Sequence, residues 1–218
     1  MTLAGRVSGC DEERRILYIA APFDSPSLLK RREISGATVI LDDGRHISTD
    51  QRKKIYATFR DISDHTGYLP DEVKAHMKYD FIAATGKPYF SLSDVDMTTA
   101  GEFLTHLIEF CLMWSIPTLD NLASRAPDIS KYIYQCLFHK KCAVCGKKAE
   151  LHHVDRVGMG RDRREITHTG MRAQPLCGGV RGHHQEAHDT GQDRFDEKYH
   201  IHGVPIDAEI CAVWRLKG

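Results

Sequence analysis

The chain has 218 residues, 41% of them hydrophobic and 28% charged, with 30 Lys and Arg against 30 Asp and Glu. A formal charge of zero excludes a polyelectrolyte or tail-like chain, and the apolar fraction excludes bulk disorder while sufficing for one ordinary core plus a small appended one. No apolar run approaches the roughly 20 residues of a membrane span. The opening MTLAGRVSGCDEERR carries no apolar stretch behind a basic one, so a cytoplasmic location is expected rather than secretion.

Residues 14–21 (RRILYIAA) and 37–41 (ATVIL) read as strands, and Asp42-Asp43-Gly44 followed by RHIS is a hairpin signal. Ser48 with Gln51 forms a capping-box pattern ahead of Ile55, Phe59 and Ile62, which predicts an amphipathic helix over 49–64. Gly67 closes it. Pro70 suits the first turn of a second helix, whose apolar face is Val73, Met77 and Phe81 and which ends before Gly86. Thr99 with Glu102 repeats the capping-box pattern, and Phe103, Leu104, Leu107, Ile108, Cys111 and Leu112 make the broad stripe of a core helix ending before Pro117. Residues 117–127 read as a connection. Asp128 caps a helix over 129–139 that runs into Cys142. The expected organisation is α+β: a domain over 1–127 with a small sheet and helices, then a compact module over 128–218.

The neutral total hides a difference between the parts. Residues 1–135 hold 16 basic and 19 acidic side chains, and residues 136–218 hold 14 and 11. Nine of the 13 histidines fall between His139 and His202. The seven cysteines are an odd number, and Cys10, Cys111, Cys136 and Cys211 sit in apolar or helical contexts as small buried residues, so a disulfide scaffold is not expected.

Cys142-Ala-Val-Cys145 is a knuckle that aims two sulfurs at one tetrahedral ion, and it wants two further Cys or His ligands from a second segment. Cys177 and His183 complete it. A redox CxxC is the alternative, but that reading expects a helix to open directly after the second cysteine, and Gly146-Lys147-Lys148 follows instead. His184 and His188 lie four apart, on one face of a helix. Adjacent His152 and His153 on a strand point to opposite faces, so one can bind a metal while the other addresses a substrate. Hydrolysis needs that division: a divalent ion at the phosphate and a neutral imidazole to take a proton from water. Asp155 and Glu186 are further candidates as ligands or orienters, and the isolated HxxxH pair taken alone is compatible with a plain surface helix. The glycine-punctuated stretch Gly158–Arg164 offers Arg161, Arg163 and Arg164 to backbone phosphates; a solvated basic loop is its alternative.

The run CxxC, LHHV, LC, HHxExH over about 140–203 resembles the HNH (ββα-metal) nucleases, in the subgroup pinned by a treble-clef-like zinc knuckle. The resemblance implies that His152, His184 and His188 hold a catalytic ion, which could be Mg²⁺, Mn²⁺, Ni²⁺ or Zn²⁺. It implies His153 as general base, and a structural Zn²⁺ on Cys142, Cys145, Cys177 and His183. Family members carry an Asn or His before the LC that orients the base; His168 is the first choice here and Gln174 the second. The second zinc pair departs from CxxC or CxxH, because five residues separate Cys177 from His183.

The earlier part of the chain, with QRKKIYATFRDIS and SLSDVDMTTAGEFLTHLIEFCLMW, resembles the phage Orf/NinB recombination mediators. That likeness implies a homodimer associated with single-stranded DNA and its binding protein. Together the chain resembles the HNHc nucleases of phages and prophages of Gram-positive bacteria, which would place it in the host cytoplasm. The expected function is a metal-dependent DNA endonuclease in phage recombination or replication. The alternative is a non-catalytic single-stranded-DNA-binding mediator with a structural zinc module, and a branched-DNA resolvase would differ from the first only in substrate.

Overall fold

The computed structural model describes residues 5–23, 44–155 and 168–217, which fall in two compact units, 1–43 and 44–218. In the first, β1 (Arg6–Asp11) pairs antiparallel with β2 (Ile16–Ala20), with a register shift between Val7 and Gly9. β2 occupies most of the expected strand 14–21, whereas the expected strand 37–41 lies outside the described residues. Beyond the expected turn, Ile47 N–H donates to Val95 O (2.8 Å) and Met97 N–H to Arg45 O (2.9 Å).

The second unit opens with three helices: α1 (Thr49–Thr66), α2 (Pro70–Thr85) and α3 (Met97–Trp114). Ser48 and Gln51 form the reciprocal capping box, at 3.0 and 3.1 Å. Gly67 and Gly86 end α1 and α2 in the left-handed conformation that glycine adopts without Cβ strain. The start of α3 differs from expectation. Asp96 is its cap, accepting from Thr99 N–H at 2.7 Å, and Thr99 lies inside the first turn. Either side chain can cap, but the chain enters from the bridge at 45–47 and 95–97, which delivers Asp96 to the helix end first.

The α3 stripe is the centre of this core: Phe103, Leu104, Leu107, Ile108 and Cys111 are all 1% exposed or less. Phe103 meets Phe59 of α1, Phe81 of α2 and Phe90 at centroid distances of 6.0, 5.3 and 5.3 Å. At about 1.5–3 kcal/mol for each fully buried large apolar side chain, this stripe supplies much of the drive to fold. The connection at 117–127 contains a short α4 (Leu122–Arg125). Its Arg125 is buried against Asp61 of α1 (2.6 Å) and donates to Thr58 Oγ1 (3.0 Å); the Asp61 approach is ionic rather than a well-aimed hydrogen bond.

Asp128 caps α5 (Ile129–Phe138) through Lys131 N–H (3.1 Å), and Ile133 and Leu137 are fully buried. The expected junction at 127 lies within the 44–218 unit, where α3 also packs on α5. Tyr132 donates to Ala143 O (2.9 Å), tying α5 to the knuckle. A small antiparallel sheet follows, in the order β3 (Glu150–His153), β4 (Arg172–Leu176), β5 (Val204–Pro205). After β4 come α6 (His183–Thr190) and α7 (Gln192–Tyr199), and α8 (Ala208–Trp214) closes the chain with Trp214 Nε1–H donating to Leu137 O (2.9 Å). The described residues are thus α+β, mixed helix with small sheets. Among them no helix is long and apolar enough to cross a membrane.

Candidate metal centres and active site

Two clusters of ligating side chains meet at the start of α6. In the first, Cys142, Cys145, Cys177 and His183 bring one donor atom each within 4.8 Å of all the others. The knuckle after α5 is held by Gly146 N–H donating to Cys142 O (2.8 Å), with Gly146 in the left-handed region. Cys177 follows β4 directly, and His183 opens α6. The chain between them can fold back because Gly182 carries no side chain: a Cβ there would lie 2.4 Å from the carbonyl oxygens of Cys177 and Gly178. That close backbone approach, rather than flexibility alone, is how a five-residue interval still delivers His183.

The donor spacing fits a tetrahedral zinc. Metal–sulfur bonds of about 2.3 Å require sulfurs about 3.8 Å apart and sulfur–nitrogen pairs near 3.6 Å. Cys145 and Cys177 sulfurs are 3.7 Å apart, and His183 Nδ1 lies 3.4 Å from Cys142 Sγ and 3.2 Å from Cys177 Sγ. Burial pushes the Cys142 thiol up to about 12 and raises Cys145, so without a cation these sulfurs are held as neutral thiols. A three-sulfur, one-imidazole set could hold zinc with all four positions filled by protein.

The second cluster is His152, His184 and His188, again with one ligand atom each within 4.8 Å of the others. Across the sheet His152 pairs with Gln174, so both face the helices. Its ring lies 4.9 Å from those of His184 and His188, which stack 5.1 Å apart one helical turn from each other. His152 is 4% exposed, and burial lowers its pKa, favouring the neutral imidazole that a metal needs. Its Nε2 is engaged by Gln192 Oε1 at 2.8 Å, while Nδ1 is buried without a partner. An orphaned ring nitrogen beside two further imidazoles is what an ion site presents when built from three protein ligands. His184 Nδ1 meets Glu150 Oε2 at 3.0 Å, which leaves its Nε2 for the cluster.

His153 projects from the opposite face of β3. Its Nε2 lies 3.1 Å from His168 Nδ1, and burial, followed by His168 and His152, lowers its pKa. The structure therefore brings His168, not Gln174, to His153; Gln174 lies on the other face, against Gln192 and Asp196. Asp155 and Glu186 are engaged elsewhere. Arg172 grips Asp155 from its guanidinium (2.8 and 3.0 Å) and backbone N–H (2.6 Å), while Glu186 accepts from Lys198 (2.6 Å) and Tyr199. Arg161, Arg163 and Arg164 lie outside the described residues. The described residues stop at Asp155 and resume at His168, which lies beside His153.

A family model described as "putative HNHc nuclease" matches residues 26–217, most of the chain. The chain belongs to that family. No curated protein and no solved structure matches. The match bears on the nuclease assignment and runs through the helices before residue 127; it names no recombination mediator. In this HNHc family member, sequence reasoning did not single out Glu150, Gln192 or Asp196. Glu150 had a signal, since it shares the strand period of two with His152 and so faces the same helix. Gln192 and Asp196 carried only an i, i+4 spacing on a short helix.

Proposed function

We propose that the chain is a metal-dependent HNH endonuclease that hydrolyses DNA phosphodiester bonds through a ββα-metal module comprising β3, β4 and α6. The observation that carries this reading is the pair of adjacent histidines split by the strand pleat, His152 toward His184 and His188, and His153 toward His168. His152, His184 and His188 would hold a divalent ion, Mg²⁺, Mn²⁺, Ni²⁺ or Zn²⁺. When bound, it would polarise the scissile phosphate and steady the leaving oxygen. Cys142, Cys145, Cys177 and His183 would hold a structural Zn²⁺ in a treble-clef-like clip that fixes the start of α6.

His153 is the general base. With its Nε2–H donating to His168 Nδ1, His153 Nδ1 keeps its lone pair and takes a proton from water as the water oxygen attacks phosphorus and the phosphorus–oxygen ester bond breaks. His168 fixes that tautomer and the ring plane. Burial keeps His153 neutral, which the role requires. Arg161, Arg163 and Arg164 would offer guanidinium groups to backbone phosphates. One ion and one base make a single-strand nick the elementary event, so double-strand breaks need a homodimer or two encounters. The likeness of 1–127 to recombination mediators supports a role in phage recombination or replication, beside single-stranded DNA and its binding protein.

The test is nicking of supercoiled plasmid and of single-stranded DNA by metal-stripped protein resupplied with each ion, for wild type and His153→Ala together. The expected result is ion-dependent cutting, reduced about 10²- to 10⁴-fold in His153→Ala, with zinc content and DNA binding unchanged. Retained DNA binding without cutting under any ion would leave the mediator reading.

A further inference from the structure

Beneath His152 lies a closed set of hydrogen bonds with one consistent direction. Gln192 opens α7 and Asp196 follows one turn later, so both side chains lie on the same face. Asp196 Oδ1 accepts from Gln174 Nε2 (2.6 Å) and Gln192 Nε2 (2.8 Å), and Gln174 Oε1 accepts from Gln192 Nε2 (3.1 Å). Gln174 is fully buried, so no water competes.

The amide orientations follow from the chemistry. Turning Gln174 over would set its carbonyl oxygen 2.6 Å from a carboxylate oxygen, and turning Gln192 over would place its oxygen against two acceptors. Both amides are therefore locked with nitrogen toward Asp196. Gln192 Oε1 is left pointing at His152 Nε2, 2.8 Å away, and an amide oxygen only accepts. His152 must carry its proton on Nε2. Its lone pair then sits on Nδ1, the buried nitrogen without a partner.

We propose that Gln192, locked by Asp196 and Gln174, is a positioning residue that fixes the tautomer of His152 and thereby selects Nδ1 as the atom offered to the ion. This rests on the three-histidine site proposed above. A carboxylate fixed through a relay sets a ligand's ring plane and basicity, and loss of such a partner lowers metal affinity about 10- to 100-fold.

The test uses the full chain carrying one equivalent of zinc and ¹⁵N-labelled histidine, with His152 assigned against His152→Gln. Long-range ¹H–¹⁵N correlation before addition of a second ion reads the tautomer, and Mn²⁺ titration, which spares the thiolate cluster, reads affinity. Wild type is expected as the Nε2–H tautomer alone. Gln192→Met removes the acceptor at similar size, and is expected to give mixed tautomers and Mn²⁺ binding weakened about 10- to 100-fold. Asp196→Leu, which removes the oxygen to which both amides donate, is expected to shift the tautomer in the same direction and serves where Gln192→Met does not fold. Gln192→Glu combined with Asp196→Asn restores an acceptor facing His152 and is expected to recover both readouts. A wild-type tautomer in Gln192→Met or Asp196→Leu, or a shifted tautomer with unchanged Mn²⁺ affinity, overturns the proposal. Failure of the parent reading has a separate signature: Mn²⁺ that leaves His152, His184 and His188 unperturbed in wild type. The tautomer measured without Mn²⁺ still decides the role of Gln192 in that case.

Discussion

The cysteine cluster and the histidine cluster share α6, and consecutive residues of it, His183 and His184, point into different sites. Their difference lies in what remains for a ligand. Cys142, Cys145, Cys177 and His183 supply four donors, enough to saturate a tetrahedral ion even though Cys145 is exposed. His152, His184 and His188 supply three, which leaves a tetrahedral ion one position not filled by protein. Four protein donors describe a structural ion, while three with an open position describe one that can take a substrate oxygen. One short helix can serve both because residues one apart diverge by about 100° around its axis.

The comparison breaks most visibly at the closed cluster. Cys142→Ser is expected to lose zinc and, with metal binding contributing on the order of 10 kcal/mol to such folds, to unfold the C-terminal part of the chain. Circular dichroism melts with and without a chelator read this directly. Preserved melting would mean that the thiols pack without metal. His184→Ala addresses the open cluster and should do the opposite, abolishing ion-dependent cutting and second-ion binding while the melt stays close to wild type.

Gly182→Ala tests how the two clusters are joined. The added Cβ meets backbone oxygens at 2.4 Å, so the chain itself must shift. A loss of about 1–3 kcal/mol is expected, with weakened ions at both clusters; an effect on only one would show that α6 is anchored independently. Glu150→Gln sharpens the open site alone. It removes a charged partner from His184 Nδ1 and should weaken the second ion by about tenfold, with zinc content unchanged by elemental analysis. The smallest effect is expected of Glu186→Gln, whose carboxylate is hydrogen-bonded to Lys198 and Tyr199 and acts on His183 only through space; cutting should stay within about twofold, since an exposed ion pair contributes only about 0–1 kcal/mol.

Much of this was legible because the relevant signals are local. Ser48 with Gln51 and Asp128 with Lys131 are caps whose partners lie three residues away, and the α3 stripe repeats within one helix. The ligands could be listed because CxxC, adjacent histidines and HxxxH each constrain geometry over five residues or fewer. What escaped depends on tertiary placement. Asp96 displaced Thr99 as a cap because of a bridge to residues 45–47. Gln174 precedes the LC as a candidate partner of His153 would, but the register pairs it with His152 and so turns it to the opposite face. Gln192 and Asp196 gain their meaning only when α7 is brought under β3, which no short-range spacing encodes.

The claim that one cluster is closed and the other open is tested most directly by titrating metal-free protein with Co²⁺ and following the visible and near-ultraviolet absorption. The account expects two equivalents. The first should bring intense sulfur-to-cobalt charge transfer with tetrahedral bands, and the second should add weaker bands without charge transfer that vanish in His184→Ala. Saturation at a single equivalent, or charge transfer that grows with both, would contradict it.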